Sequence, residues 1–462
     1  MDARMERFEE YVSMIAGHLG HADRVGPFRG YCAGLMLPGE RKSVEPMAAR
    51  VAPTQVRSAH QRLHHFVADA PWSDAAVLGA VRTHVLTAAA RGAGAPEVLI
   101  IDDTGFPKQG KHSVGVARQY CGQLGKQDNC QVAVSLSLAN ERYSVPVGYR
   151  LYLPKDWSVD LARRRQAKVP EDVEFATKPE IALGLIDAAT AAGAVARLVV
   201  ADAGYGIDTA FRDQLSARKL QYVVGITSVV KVWSDGTAPL PPAPWSGRGR
   251  KPKLLQRDAQ HKPVSVKALA MALNPRQWKN VVWREGSNQA LCSRFAAARV
   301  RCAHRDYWRA ELRPEQWLLV EWPKGEAEPI KYFVSTLPSD TPLRELVRVA
   351  KLRWRIERDY QELKQEFGLD HFEGRGWRGF HHHASLSIAA YGFLLAERLA
   401  QPKKTVQHPL LGEIPALPED FRPRGAPATK PPRPRFDRDS TSRTRRRSDR
   451  TTAALPMLRE TK

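Results

Sequence analysis

A chain of 462 residues, 43% of them hydrophobic, can bury a large core and is long enough for two to four structural units. Its formal charge of +22 attracts polyanions before any specific contact forms, which makes nucleic acid the first partner to consider. There is no long uncharged apolar run and no basic amphipathic helix with an aromatic-rich face, which argues against a membrane protein, and five cysteines without a C-x-x-C pair argue against a disulfide framework or zinc ribbon.

From Met1 to about Arg91 the apolar residues recur at helical spacing, as in MERFEEYVSMIAGHL and AAVLGAVRTHVLTAA, so residues 1–94 read as a helical domain for DNA binding or assembly. The stretch opens with acids and lacks an export leader, so a cytoplasmic, nucleoid-associated protein with reduced thiols is expected. At Pro96 the period changes. EVLIIDD is a short apolar run ending in acids, and HSVGVARQY, CQVAVSLSLA and SVPVGYRLYL alternate as paired strands do. PEIALGLIDAATAAG then reads as a helix, RLVVADAGYG as a buried strand, DTAFRDQLSARKL as a helix and QYVVGITS as a strand. This order predicts an α/β fold with a mixed RNase H-like sheet, the first part of a catalytic core over 95–228. Residues 229–335 read as a β-rich insertion, 336–402 as the helical remainder of the core, and the Pro-, Arg- and Ser-rich 403–462 as a disordered basic tail.

Two strand-terminal carboxylates, Asp103 and Asp202, would sit on neighbouring central strands, close enough to share a hard cation through oxygen ligands. Asp102 and Asp103 point to opposite faces of one strand, so only one of them can join Asp202, and local turning decides which. In LRWRIERDYQELKQEF, Arg353, Glu357 and Lys364 fall along one helical stripe. A solvated face carrying an Arg–Glu pair would share that spacing.

RWRIE followed by a lysine seven residues after the glutamate resembles the tyrosine-arginine-glutamate-lysine signature of bacterial insertion-sequence transposases of the DDE superfamily. LIIDDTGFPKQGKHSVGVARQYCGQLGK is similar to the first-aspartate block of one of its subgroups. The signature tyrosine falls at Ala350, a departure. The resemblance implies metal ligation by Asp103, Asp202 and Glu357, preferred over Asp102, Glu362 and Glu366, with two Mg2+ ions that Mn2+ can replace. It further implies cleavage of transposon ends and strand transfer into target DNA, by a homodimer on double-stranded DNA. Arg353 and Lys364 would hold phosphates beside the scissile bond. Tyr332, on the strand before the signature helix, would stack on a displaced base, or else belong to the core.

Lys108, Lys111 and the basic 248–253 are further candidate DNA contacts. His381, His382 and His383 are adjacent on a helix and cannot all face one ion, so contact with solvent or phosphate is expected of them. HRD at 304–306 lacks the glycine-rich loop that a kinase would need. The rival readings are a resolvase-like two-metal nuclease on the same core and a non-catalytic DNA-binding protein derived from a transposase.

Overall fold

The computed structural model describes residues 3–284 and 290–401; the expected tail, 403–462, lies outside them. Five helices come first: α1 (Ala3–Ala16), α2 (Val25–Met36), α3 (Val44–Val51), α4 (Val56–Ala68) and α5 (Asp74–Ala90). Strands β1 (Val98–Pro107), β2 (Ala117–Cys121), β3 (Lys126–Ala139) and β4 (Ser144–Leu151) follow, then the short α6 (Lys155–Val159) and α7 (Leu161–Gln166). Next come α8 (Lys178–Ala191), β5 (Leu198–Ala201), α9 (Ala203–Gly206), α10 (Thr209–Ala217) and β6 (Gln221–Ile226). The insertion supplies β7 (Lys231–Ser234), β8 (Val264–Ser265), α11 (Val266–Ala272), β9 (Lys279–Arg284), β10 (Leu291–Cys302), β11 (Gln316–Trp322) and β12 (Lys331–Ser335). Three helices close the described chain: α12 (Leu343–Lys351), α13 (Trp354–Gln365) and α14 (Trp377–Ala400).

The central strands run β4-β3-β1-β5-β6, with β1 antiparallel to β3 and parallel to β5, and β5 parallel to β6. This is the RNase H-like arrangement. The β-rich insertion extends it, because β12 pairs with β6 and β11, β10 and β7 continue outward into one 12-stranded sheet. Val98, Leu99, Ile100 and Ile101 are all fully buried, as a strand covered on both faces requires. Alternation divides them. Leu99 and Ile101 join the larger core with α5 and α14, whereas Val98 and Ile100 face a second core made by Leu346, Val349 and Ile356 of α12 and α13.

Residues 1–94, expected as a domain of their own, share the larger core with the sheet, since Phe8, Tyr31 and Leu63 belong to the same cluster as Leu136 and Leu386. The Tyr11 hydroxyl donates to the Ala389 carbonyl of α14, 2.9 Å away. Helix α14 is apolar nearly all round and is sheathed on every side, so His381, His382 and His383 are buried, contrary to the expectation that they face solvent or phosphate. Each finds partners within the protein: His381 Nδ1 lies 2.9 Å from the Trp377 carbonyl, the His382 ring nitrogens lie 3.1 and 3.0 Å from the Val67 and Trp72 carbonyls, of which a neutral ring donates to one, and His383 lies 2.9 Å from the Tyr31 hydroxyl and 2.8 Å from the Gly368 carbonyl. No described helix is long and apolar enough to cross a membrane.

Candidate active site

The parallel register pairs Ile101 of β1 with Ala201 of β5, so Asp102 and Asp202 stand one residue beyond the last pair on each strand. Asp202 ends β5 and caps α9, its Oδ1 accepting from the Gly204 and Tyr205 amides at 2.9 and 3.4 Å. Two glycines make this turn possible. A Cβ on Gly206 would lie 1.9 Å from the Gly225 carbonyl oxygen, and one on Gly225 would lie 2.9 Å from the Ala203 nitrogen, so α9 can lie against β6 only if both side chains are absent.

Strand β1 continues to Pro107, which makes both aspartates strand residues with opposite orientations. Asp102 shares the face of Ile100, toward α12 and α13. Its Oδ2 accepts from Arg353 Nη1 at 2.8 Å, and the same guanidinium reaches Glu357 through Nη2. Asp103 turns to the other face, where its Oδ2 meets Lys178 Nζ at 2.9 Å. That lysine is placed by the start of α8, where Thr177 and Glu180 form a reciprocal capping box.

Burial pushes the Asp102 carboxyl up to about 7; the charges of Asp202 and Asp103 add to the rise, and Arg353 opposes it. Burial disfavours the Arg353 charge, but Asp102, Glu357 and Asp202 outweigh it and raise that group above the usual arginine range. Asp102 and Glu357 thus share one guanidinium, and the Asp202 charge acts on it from farther away. Among the described residues no three His, Cys, Asp or Glu side chains converge closely enough to hold an ion, and Arg353 stands between two of the acids. The donor set fits a hard divalent cation, being all carboxylate oxygen. A carboxyl pushed up chiefly by burial, with acids close by, is also one whose charge added positive charge would favour.

The remaining expected residues are placed unequally. Lys364, about two turns beyond Glu357 on α13, donates to the Gly105 carbonyl at 2.8 Å and to Gln123 at 2.9 Å, and its ammonium lies 4.9 Å from the Phe106 ring centre. Glu362 is taken up by Arg358 and Arg398, so it lies off the Arg353 stripe. Lys108 donates to the Phe372 carbonyl at 2.9 Å, and Lys111 is exposed. Tyr332 is a departure from the base-stacking expectation. It is only 3% exposed, packed in the larger core, and its hydroxyl is spent on the Pro329 carbonyl at 3.0 Å, which leaves no ring face for a base. Ala350, at the signature tyrosine position, is also buried, in the second core. Asp306 of the HRD triplet is a buried partner of Trp233 Nε1 and Arg257. Sequence reasoning gave Lys178 no role, and nothing local to KPEIALGL could have indicated its pairing with Asp103.

A family model described as a DDE superfamily endonuclease matches residues 15–290, which include the ends of β1 and β5 and stop before α13. The protein described as "Probable transposase for insertion sequence element IS701", from Microchaete diplosiphon, is 36% identical over 169 residues, 36% of this chain. The match spans 41% of that relative's length.

Proposed function

The chain belongs to the DDE superfamily of endonucleases, and from that membership we propose that it is a transposase, cutting DNA at transposon ends and joining the freed 3′ hydroxyl to target DNA. The observation that carries the reading is the placing of Asp102 and Asp202 at adjacent parallel strand ends, with Glu357 linked to Asp102 through Arg353. Asp102, Asp202 and Glu357 would hold the cations. This moves the first acid one residue from Asp103, because Asp102 shares the face of β1 that looks toward Glu357, while Asp103 serves Lys178.

Divalent cations held by Asp102, Asp202 and Glu357, two Mg2+ or Mn2+ on the signature resemblance, would supply charge neutralisation for displacement at a phosphodiester. The chain's own residues do the positioning. Arg353 can exchange a carboxylate for a phosphate, because its planar fork fits either anion. Lys364, now satisfied by a carbonyl and a side-chain amide, has neutral partners that a phosphate oxygen readily replaces. A homodimer acting on paired double-stranded ends belongs to the same reading and rests on the signature resemblance.

Joining distinguishes a transposase from a nuclease on the same fold. A duplex bearing the inverted repeat that flanks the gene, pre-cut to expose its 3′ hydroxyl, is incubated with supercoiled plasmid and Mg2+. Covalent end–plasmid products from the wild type, absent with Asp202→Asn, are expected. Hydrolysis without joining would support the resolvase-like reading instead.

A further inference from the structure

Two residues after Arg353, Arg355 points ~200° around α13, to the side away from the acids. There a half-open cleft of about 730 Å3 is lined by Arg4, Arg142, Arg355, Arg358 and Arg398, which bring together α1, the β3–β4 turn, α13 and α14. Only two acids line it with them. Asp359 is buried and already accepts from Ser144 at 2.6 Å, Ser137 at 3.3 Å and the Tyr391 hydroxyl at 3.1 Å. Glu362 is shared by Arg358 at 3.1 Å and Arg398 at 2.8 Å. The Arg355 Nε is buried without a hydrogen-bond partner, a donor left unmatched within the protein. The cleft beside Lys108 offers the opposite case: there Asp370 and Glu373 stand among Arg41, Lys108 and Arg375 and nearly balance them.

Five guanidiniums line the cleft against two carboxyls; Arg358 and Arg398 share Glu362 and Arg142 also donates to the Gly92 carbonyl, and the excess of positive charge makes a site for an anion with several oxygens. Guanidinium forks and phosphate oxygens match in geometry as well as charge. We propose that this cleft binds the sugar–phosphate backbone of duplex DNA, in a segment separate from the one at the acids, so that the signature helix lies between two DNA-contacting surfaces. The inference rests on the proposed function for its ligand, since a protein that works on DNA presents such a cleft to backbone phosphates rather than to free ones.

The test uses the full chain and a 30-base-pair duplex of unrelated sequence, with binding followed by fluorescence anisotropy from low to moderate salt. Arg142 and Arg358 are both exposed, so R142Q/R358Q removes charge at the surface. Loss of two phosphate contacts should flatten the log–log salt dependence by about 1.8, at about 0.9 per contact. Glu362→Gln, which releases Arg358 and Arg398, should steepen it; this second variant decides the matter if the double one fails to fold. An unchanged slope in a folded variant overturns the proposal. Inorganic phosphate and pyrophosphate form the second arm: a rise in wild-type melting temperature with either, lost in R142Q/R358Q while the DNA slope stays the same, would assign the cleft to small phosphates and overturn the DNA assignment. These outcomes leave the proposed function standing, which fails separately if the wild type does not join a pre-cut end to target DNA.

Discussion

Arg353 links two of the candidate acids. It pairs with Asp102 at 2.8 Å and with Glu357, whose side chain is 58% exposed and can turn without disturbing the core. Two substitutions on β1 separate the roles of its adjacent acids. Asp102→Asn should lower DNA cleavage by more than 100-fold while leaving metal-free stability unchanged or slightly higher, because burying a charge among like charges costs the folded state. Asp103→Asn should retain cleavage within about tenfold and lose only the partly exposed pair with Lys178, a small effect. Both are read in a duplex-nicking assay with melting curves, and the reverse pattern would return the first ligand to Asp103. Lys364→Ala should slow cleavage more than it weakens duplex binding, since many other basic groups share the binding. Equal losses would reduce Lys364 to general electrostatics.

At the level of elements, the site depends on how closely α9 approaches β6. Gly206→Ala would drive a methyl into the Gly225 carbonyl, with the Cβ 1.9 Å away, so the Asp202 turn must shift. A loss of roughly 2–4 kcal/mol in denaturant unfolding is expected, with cleavage falling further than stability alone would explain; wild-type stability would mean that the helix and strand can separate freely. Much of this was legible in the sequence. LVVADAGYG announced a buried strand, a terminal acid and glycines, and the strand and helix order announced the core. The face of Asp102 was not, since a strand carried through both acids to Pro107 has an orientation fixed only by what packs on each side. Tyr332 misled for a related reason. An alternating strand suggests one wet face, but β12 lies inside the sheet between β6 and β11, and its tyrosine side is covered. The histidine triplet likewise gave no sign that α5, α2 and α4 would enclose α14 on all sides.

In the whole molecule the helical segment, the sheet and α14 share one core, so the region before β1 should unfold together with the catalytic strands rather than as a separate transition. The buried histidines give this core a pH dependence. His383 is satisfied as a neutral ring, donating to Gly368 and accepting from Tyr31, and burial lowers its titration to about 4 from an ordinary 6.5. With the folded value below the unfolded one, its contribution is complete above about pH 6.5 and is lost as pH falls toward 4, at most about 3 kcal/mol. His383→Gln should therefore be less stable at pH 7.5 yet show a shallower loss between pH 6.5 and 4 in urea titrations; an unchanged slope would show that His383 does not titrate in that window. The insertion lengthens the same sheet instead of standing apart, so β6 and α12 that flank it remain fixed to the strands bearing the aspartates. The central claim, that carboxylates from β1, β5 and α13 act together through divalent cations, is tested most directly by single-turnover cleavage of an end-bearing duplex by wild type, Asp202→Asn and Glu357→Gln across a Mg2+ titration, with metal-induced melting shifts recorded on the same samples. The account predicts Mg2+-dependent cleavage and a rise in melting temperature for the wild type, with both largely lost in each variant; cleavage that persists without divalent metal, or in either variant at the wild-type rate, would contradict it.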